Sequence, residues 1–433
     1  MNSNNRLSLY VNRLKAISSE RLRLSVVTIL LAVSIISLFV SKSCEFDRLG
    51  SIVKVVGTNN HDIPKPVTAY FVNREFNETL SDSERVVSSS DTFNVELSIY
   101  PMLQKKLHQL LVRYHPRCGA VVVMRPATGE VLAAVSYRNE KEENFLPESI
   151  NMLFWNEYPA ASLFKIVTTA GVLEYRLMNA GDGINVTGNL WTLYKHQLQQ
   201  DKPNRWSRFI SMREAFTRSI NPFFGKVGMY VLGADRMNVT AGKFLFNYPI
   251  AFDLPLGESR YVPPINGYEA AALASGFNRF TTITPIHAAM MAGAVANKGN
   301  VSNPKLIRSI RKDNKVLYVG GCDTMYNLIR SETARETMNV MGEVVRRGTA
   351  RKGFAHILRG DGMSGIQMGG KTGNLNSDNP KGRCDWFAGF AIDSRNPENS
   401  ISVAVVTVHG PYWNVHSSYL GAEAIQTYFK NFR

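Results

Sequence analysis

Hydrophobic and polar positions change period several times along the chain, and each change marks a predicted element. Residues 24–40 (LSVVTILLAVSIISLFV) form a run of 17 residues without a charge, near the minimum that crosses a bilayer core. Residues 44–93 are rich in Ser, Asn and Asp with few apolar runs, which predicts a connector holding a short strand at 68–72. From about residue 95 the pattern becomes that of a folded domain. Leu103, Leu107, Leu110 and Leu111 recur at helical spacing and predict an amphipathic helix over 102–114. Strand-like runs at 119–124 and 131–136 flank Pro126-Ala127-Thr128-Gly129, turn chemistry that predicts an antiparallel hairpin. Helical periodicity returns at 162–178 and 212–232, strands at 367–371, 386–392 and 401–408, and a last helix at 420–429. Two strands early, three late and helices between them predict an α+β fold, an antiparallel sheet of about five strands flanked by helices. No internal repeat is present.

Charge orients this layout. Arg6, Arg13, Lys15, Arg21 and Arg23 precede the apolar run against Glu20 alone, and Lys42 follows it, so the positive-inside rule puts residues 1–23 in the cytoplasm and the bulk outside. A cleaved leader ending before Cys44, after Ser41 and Ser43, is the alternative. Either way the bulk is exported. The whole chain carries 50 Lys and Arg against 35 Asp and Glu, a net +15, which suits an anionic partner such as a membrane face or an acidic polymer. Four scattered cysteines, Cys44, Cys118, Cys322 and Cys384, exclude a disulfide scaffold and a Cys-x-x-Cys metal site, and leave room for one disulfide.

Three short motifs carry candidate chemistry, in the order Ser162-x-x-Lys165, Ser219-x-Asn221 and Lys371-Thr372-Gly373. The first two spacings also occur elsewhere, at Ser51/Lys54, Ser302/Lys305 and Ser309/Lys312 for one and at Ser3, Ser149, Ser377 and Ser394 for the other. Only Ser162 opens a long apolar helical pattern, which sets its hydroxyl at a helix N-terminus and Lys165 one turn along the same face. A serine attacks only when a base takes its proton, and a lysine serves only with its pKa pulled below about 10.4. Burial and a second cation do this. Lys371 supplies the cation, Ser219 a proton relay and Asn221 a hydrogen bond to a peptide amide. Lys-Thr-Gly occurs once, on an expected edge strand where Gly373 admits a close backbone approach.

These three motifs resemble those of penicillin-binding proteins and serine β-lactamases. GAVVVMRPATGEVLAAVS, REAFTRSINPFFGKVG, ITPIHAAMMAGAVANKGNVSNPKLI, VVRRGTARKG, MGGKTG and DWFAGFA resemble further family segments in family order, covering about residues 95–433. The resemblance implies a β-lactamase-like fold with a helical subdomain, and an acyl-enzyme on Ser162 with Lys165 as base. Ser219 would pass the proton to the leaving amine, Asn221 would orient the donor peptide, and Lys371 and Thr372 would bind the substrate carboxylate. The backbone N–H groups of Ser162 and Asn374, the residue after Gly373, would form the oxyanion hole. Asn374 departs from the usual Thr or Ser, and Ala161 from the usual Gly before the nucleophile, a change expected to be sterically mild. Ser377-Asp-Asn379 imitates the second motif out of order.

The implied activity is peptidoglycan D,D-transpeptidation, with penicillins acylating the same serine. The alternatives are a D,D-carboxypeptidase, a β-lactamase of the same fold, or a non-catalytic scaffold or β-lactam sensor. Neither Glu258 nor Glu269, between the second and third motifs, forms a convincing deacylation motif. No cofactor or metal is implied. The implied partners are stem peptides, β-lactams, the membrane through residues 24–40, and a separate glycosyltransferase, since about fifty residues between span and catalytic region leave no space for one. Nucleic acid is not among them. The implied location is the bacterial cytoplasmic (inner) membrane, with a single pass and a periplasmic domain at 95–433.

Overall fold

The apolar runs at the two ends of the domain meet in one sheet. The computed structural model describes residues 63–89, 91–139, 151–199, 203–320, 326–360 and 362–432, all within a compact unit spanning Val56–Arg433. In chain order the elements that matter are α1 (Lys65–Asn73), β1 (Ser83–Val87), β2 (Thr92–Leu97), α2 (Pro101–Tyr114), β3 (Cys118–Met124), β4 (Val131–Arg138) and α3 (Phe164–Glu174). They continue with β5 (Gly183–Thr187), β6 (Ser207–Ser211), α4 (Met212–Arg218), α5 (Asn221–Lys226), α6 (Gly267–Ala274), α7 (Pro285–Ala296), β7 (Ile307–Lys312) and β8 (Lys315–Val319). The last are α8 (Ser331–Arg346), α9 (Arg351–Leu358), β9 (Ile366–Asp378), β10 (Lys381–Asp393), β11 (Ile401–His409) and α10 (Ser417–Phe432). The main sheet is five-stranded and antiparallel throughout, in the order β9-β10-β11-β3-β4, as the pattern predicts.

Burial explains why its middle strands read as unbroken apolar runs. Every residue of β3 and of β11 is buried, because helices cover both faces. On one face lies α7, apolar nearly all round; Gly293 of this helix comes within contact distance of Ser402 on β11. On the other lies α10, whose Gly421 packs against the ring of Phe387 on β10. Strand β9 is one of the two edge strands, and side chains alternate along it. Thr372, Asn374 and Asn376 share the α10 face with their cross-strand partners Phe387, Asp385 and Arg383, while Lys371, Gly373 and Leu375 point to the other side.

Three segments differ from what their sequence predicts. The connector predicted over 44–93 is, from residue 63 on, part of the folded body. Its strand at 68–72 is helix α1, which buries Val67 and Phe71: TAYFV suits either structure by composition, but apolar residues at i and i+4 close a helical face. Its VVSSSDTFN stretch is the hairpin joining β1 to β2, and β2 extends into a second sheet, β1-β2-β7-β8. The helix predicted over 212–232 breaks at Ser219, which stands at φ 57. Pro222 enforces the break, since its ring removes one N–H and crowds the preceding turn. Helix α5 starts afresh and passes into a π-helical turn at Val227–Leu232.

Among the described residues no helix is long and apolar enough to cross a membrane. The run at 24–40, Cys44, Cys322 and the Ser51/Lys54 pair lie outside them. Cys118 and Cys384 are free and buried, both opposite Val408 on the strand between them. Two strand spacings, about 9.6 Å, separate their backbones, beyond the reach of a disulfide.

Candidate active site

Ser162 stands on a short 3-10 turn, Ala161–Leu163, that leads directly into α3, so its hydroxyl sits where helical N–H groups have no internal partner. Lys165, one turn on, has no exposed surface. Its Nζ lies 2.8 Å from Ser162 Oγ, 2.9 Å from Asn221 Oδ1 and 2.5 Å from the carbonyl oxygen of Ser275. An amide oxygen and a carbonyl oxygen only accept, so they take both hydrogens of an uncharged amine and leave its lone pair to the serine O–H. Burial, and secondarily the Lys371 cation, holds this amine well below the ordinary lysine range. The Phe224 ring, its centre 5.5 Å from Nζ, contributes to this burial.

The second and third motifs close the site from opposite sides. Ser219 occupies the left-handed C-cap of α4, which turns its hydroxyl toward β9, where Lys371 Nζ donates to it at 2.9 Å and to the Thr372 carbonyl at 2.8 Å. Burial brings Lys371 down to about 7. Asn221 is tied on both ends of its amide, with Oδ1 accepting from Lys165 and Nδ2 donating to the Trp191 carbonyl at 2.7 Å. In the free protein this side chain therefore positions the base rather than waiting for a peptide.

Two glycines set the spacing. A Cβ on Gly373 would stand 3.2 Å from the backbone nitrogen of Ser162, so the close approach expected of a substrate backbone is also made by the nucleophile turn itself. A Cβ on Gly276, at φ 65, would stand 1.9 Å from the Ala161 carbonyl oxygen. Ala161 is itself at φ 48, a conformation that costs a non-glycine residue about 1–2 kcal/mol, so its departure from glycine is less mild than expected.

The sequence reading did not single out Thr349, whose hydroxyl is 2.5 Å from that of Thr372, or the Ser275 carbonyl and Trp191. Thr349 lies within the quoted RRGTARKG segment; the backbone carbonyls leave no trace in a side-chain pattern. The imitators have other tasks: Ser302 Oγ donates to the Ala127 carbonyl, Ser309 Oγ to Glu96, and Lys312 pairs with Asp91. Ser377-Asp-Asn379 forms the β9–β10 turn region, where Asp378 pairs with Arg279 and Asn379 with Glu157. Ser162, Ser219, Asn221, Thr372, Gly373 and Asn374 all line one cleft of about 1040 Å³.

Residues 119–426 match the penicillin binding protein transpeptidase domain. The chain belongs to this family. The peptidoglycan D,D-transpeptidase PbpA of Mycobacterium tuberculosis is 30% identical over 247 residues, 50% of this chain and 49% of that protein. Its counterpart in Mycolicibacterium smegmatis is 24% identical over 72% of this chain and 67% of its own length. Against the Mycobacterium tuberculosis protein the chain spans about half the relative's length. The transpeptidase fold is shared with the crystal structure of PBPA from Mycobacterium tuberculosis, at TM-score 0.60 and 21% identity over 78% of this chain and 80% of that one. An imipenem acyl-enzyme complex of penicillin-binding protein A from the same organism superposes at TM-score 0.58 and 22% identity, covering 77% and 78%.

Proposed function

We propose that this chain is a peptidoglycan D,D-transpeptidase that cross-links stem peptides through an acyl-enzyme on Ser162 and is acylated at the same atom by β-lactams. The observation that carries the reading is the hydrogen-bond pattern of Lys165, whose two N–H acceptors leave the lone pair for Ser162. Lys165 takes the hydroxyl proton as Oγ attacks the penultimate D-Ala carbonyl. Ser219, held by Lys371, hands a proton to the departing amine. The N–H groups of Ser162 and Asn374 receive the oxyanion, a contribution whose loss costs serine hydrolases about 2.7–4 kcal/mol of barrier. Thr372, with Thr349 beside it, and Lys371 hold the terminal carboxylate.

Transfer to an amine is favoured over hydrolysis by the scarcity of acids. Asp385 is the one carboxylate among the described residues lining the cleft, and it accepts the Ser417 N–H at 2.7 Å. The Glu269 carboxylate instead accepts the Ile265 N–H and the Asn266 side-chain amide at the start of α6, and Glu258 is exposed outside the cleft. Residues 24–40 would anchor the chain in the cytoplasmic membrane, with 1–23 inside, the catalytic body in the periplasm and a separate glycosyltransferase as partner; the uncharged run and its flanking charges support this.

Mass spectrometry after incubation with a penicillin tests the assignment. The adduct is expected on the peptide containing Ser162 and is expected to be absent from Ser162→Ala. A label on another residue overturns it.

A further inference from the structure

The cleft does not end at the three motifs. On the α10 face of the sheet it continues from Thr372 and Asn374 on β9 to Asp385 and Arg383 on β10. There it meets Lys352 of α9, Trp413 and His416 of the 410–416 loop, and Tyr419 of α10. The free charge of this arm has one sign. The Arg383 guanidinium lies 5.6 Å from the centre of the Trp413 ring. Among the described residues no acid stands within 4.0 Å of Arg383 or Lys352. Asp385 is occupied: its side chain is 7% exposed, it accepts the Ser417 N–H, and His416 Nδ1 stands 3.7 Å away.

The proposed reaction fixes what enters this arm. The amine of the leaving residue departs on the side where its carboxylate is held, at Thr372 and Thr349. By microscopic reversibility the attacking amine arrives along the same line. Its nitrogen forms the new bond to the acyl carbon, the ester bond to Ser162 Oγ breaks, and the amine proton passes through the Ser219 side of the site back to that oxygen. The rest of the attacking strand must then run outward past Thr372, along the cationic wall.

We propose that Arg383 and Lys352, flanked by Trp413 and His416, form an acceptor subsite that binds a carboxylate of the attacking peptide. This rests on the transpeptidase reading and adds to it a site for the second substrate, away from the threonine pair proposed to hold the carboxylate of the first. Guanidinium stacked on indole is pre-ordered for a planar carboxylate, and the aromatic wall suits the apolar stem of the side chain that carries it.

The test uses two acceptor peptides that differ only in one distal carboxylate, free in one and amidated in the other. The full-length protein is loaded with acyl group from a thioester analogue of the donor, and aminolysis is scored by mass spectrometry relative to the acyl-enzyme formed. The wild type is expected to need about tenfold less of the acidic acceptor for half-maximal transfer, the effect of one charge-assisted contact. Arg383→Gln with Lys352→Gln is expected to bring the two acceptors within about twofold of each other. Both positions are exposed, so the fold is retained, and Lys352→Gln alone provides a second comparison. An acid preference that survives in the double variant, or an equal loss for both acceptors, overturns the subsite. Absence of any acyl-enzyme on Ser162 is a different result, which removes the transpeptidase reading beneath it.

Discussion

At the scale of single residues the site is a device for keeping one amine uncharged. Lys165 has no exposed surface, two acceptors fixing its hydrogens, and a second cation nearby that penalises a proton on it. A base acts only when unprotonated, so the acylation rate should climb with pH through the Lys165 pKa and level off above it. Because the pKa is depressed, that acid limb should lie well below the ordinary lysine range. Lys371→Met removes one of its two causes while leaving the burial, so the limb should move to higher pH. The quantity to follow is the limb's midpoint for penicillin acylation rather than the rate itself, since Lys371 is also proposed to touch substrate. A midpoint that stays in place, or moves toward acid, would mean that Lys165 does not feel Lys371 and that another group sets the profile.

At the scale of elements the motifs work because backbone irregularities aim them. Ser219 reaches Lys371 only because α4 ends in a left-handed residue, and the signal for that break, Pro222, stands three residues further on, inside the stretch whose apolar pattern suggests a continuous helix. The five-strand sheet, the β3–β4 hairpin and the edge position of Lys371 were legible because short apolar runs bounded by turn residues are local properties. The identity of α1 was not, because a short β-branched and aromatic run fits both structures until its packing partners are known. Nor were the Ser275 carbonyl and the left-handed Ala161, since main-chain positions depend on what is folded against them. Gly276 shows how little slack this leaves. Its missing Cβ is the space for the Ala161 carbonyl oxygen, so Gly276→Ala must push the nucleophile turn aside. A displacement of about 1 Å at a reacting atom costs about 10²-fold in rate. Penicillin acylation of Gly276→Ala should fall by about that factor while far-ultraviolet circular dichroism and cooperative unfolding persist. Near-wild-type acylation would show that the turn has freedom the packing denies it.

At the scale of the whole molecule, the catalytic motifs and the proposed membrane anchor lie in different parts of the sequence. The catalytic motifs, both faces of the sheet and the cleft lie within the unit Val56–Arg433. The uncharged run and five of the basic residues lie before residue 41. If burial of 24–40 in a bilayer is what localises the protein, its removal should separate location from catalysis. A chain beginning at Val56 is expected to fold, to acylate with penicillin at a rate within about twofold of the full-length protein in detergent, and to appear in the soluble fraction after alkaline carbonate extraction. The full-length chain should stay with the membranes under the same extraction, because an uncharged run of 17 residues, 13 of them apolar, is held by hydrophobic transfer that high pH does not weaken. The net positive charge makes a competing account specific: attachment of the body to acidic lipids or wall polymers by Lys and Arg alone. That attachment is screened by salt, so a chain from Val56 that still sediments with membranes at low salt and is released at 1 M salt would move the anchoring role from the apolar run to the basic surface.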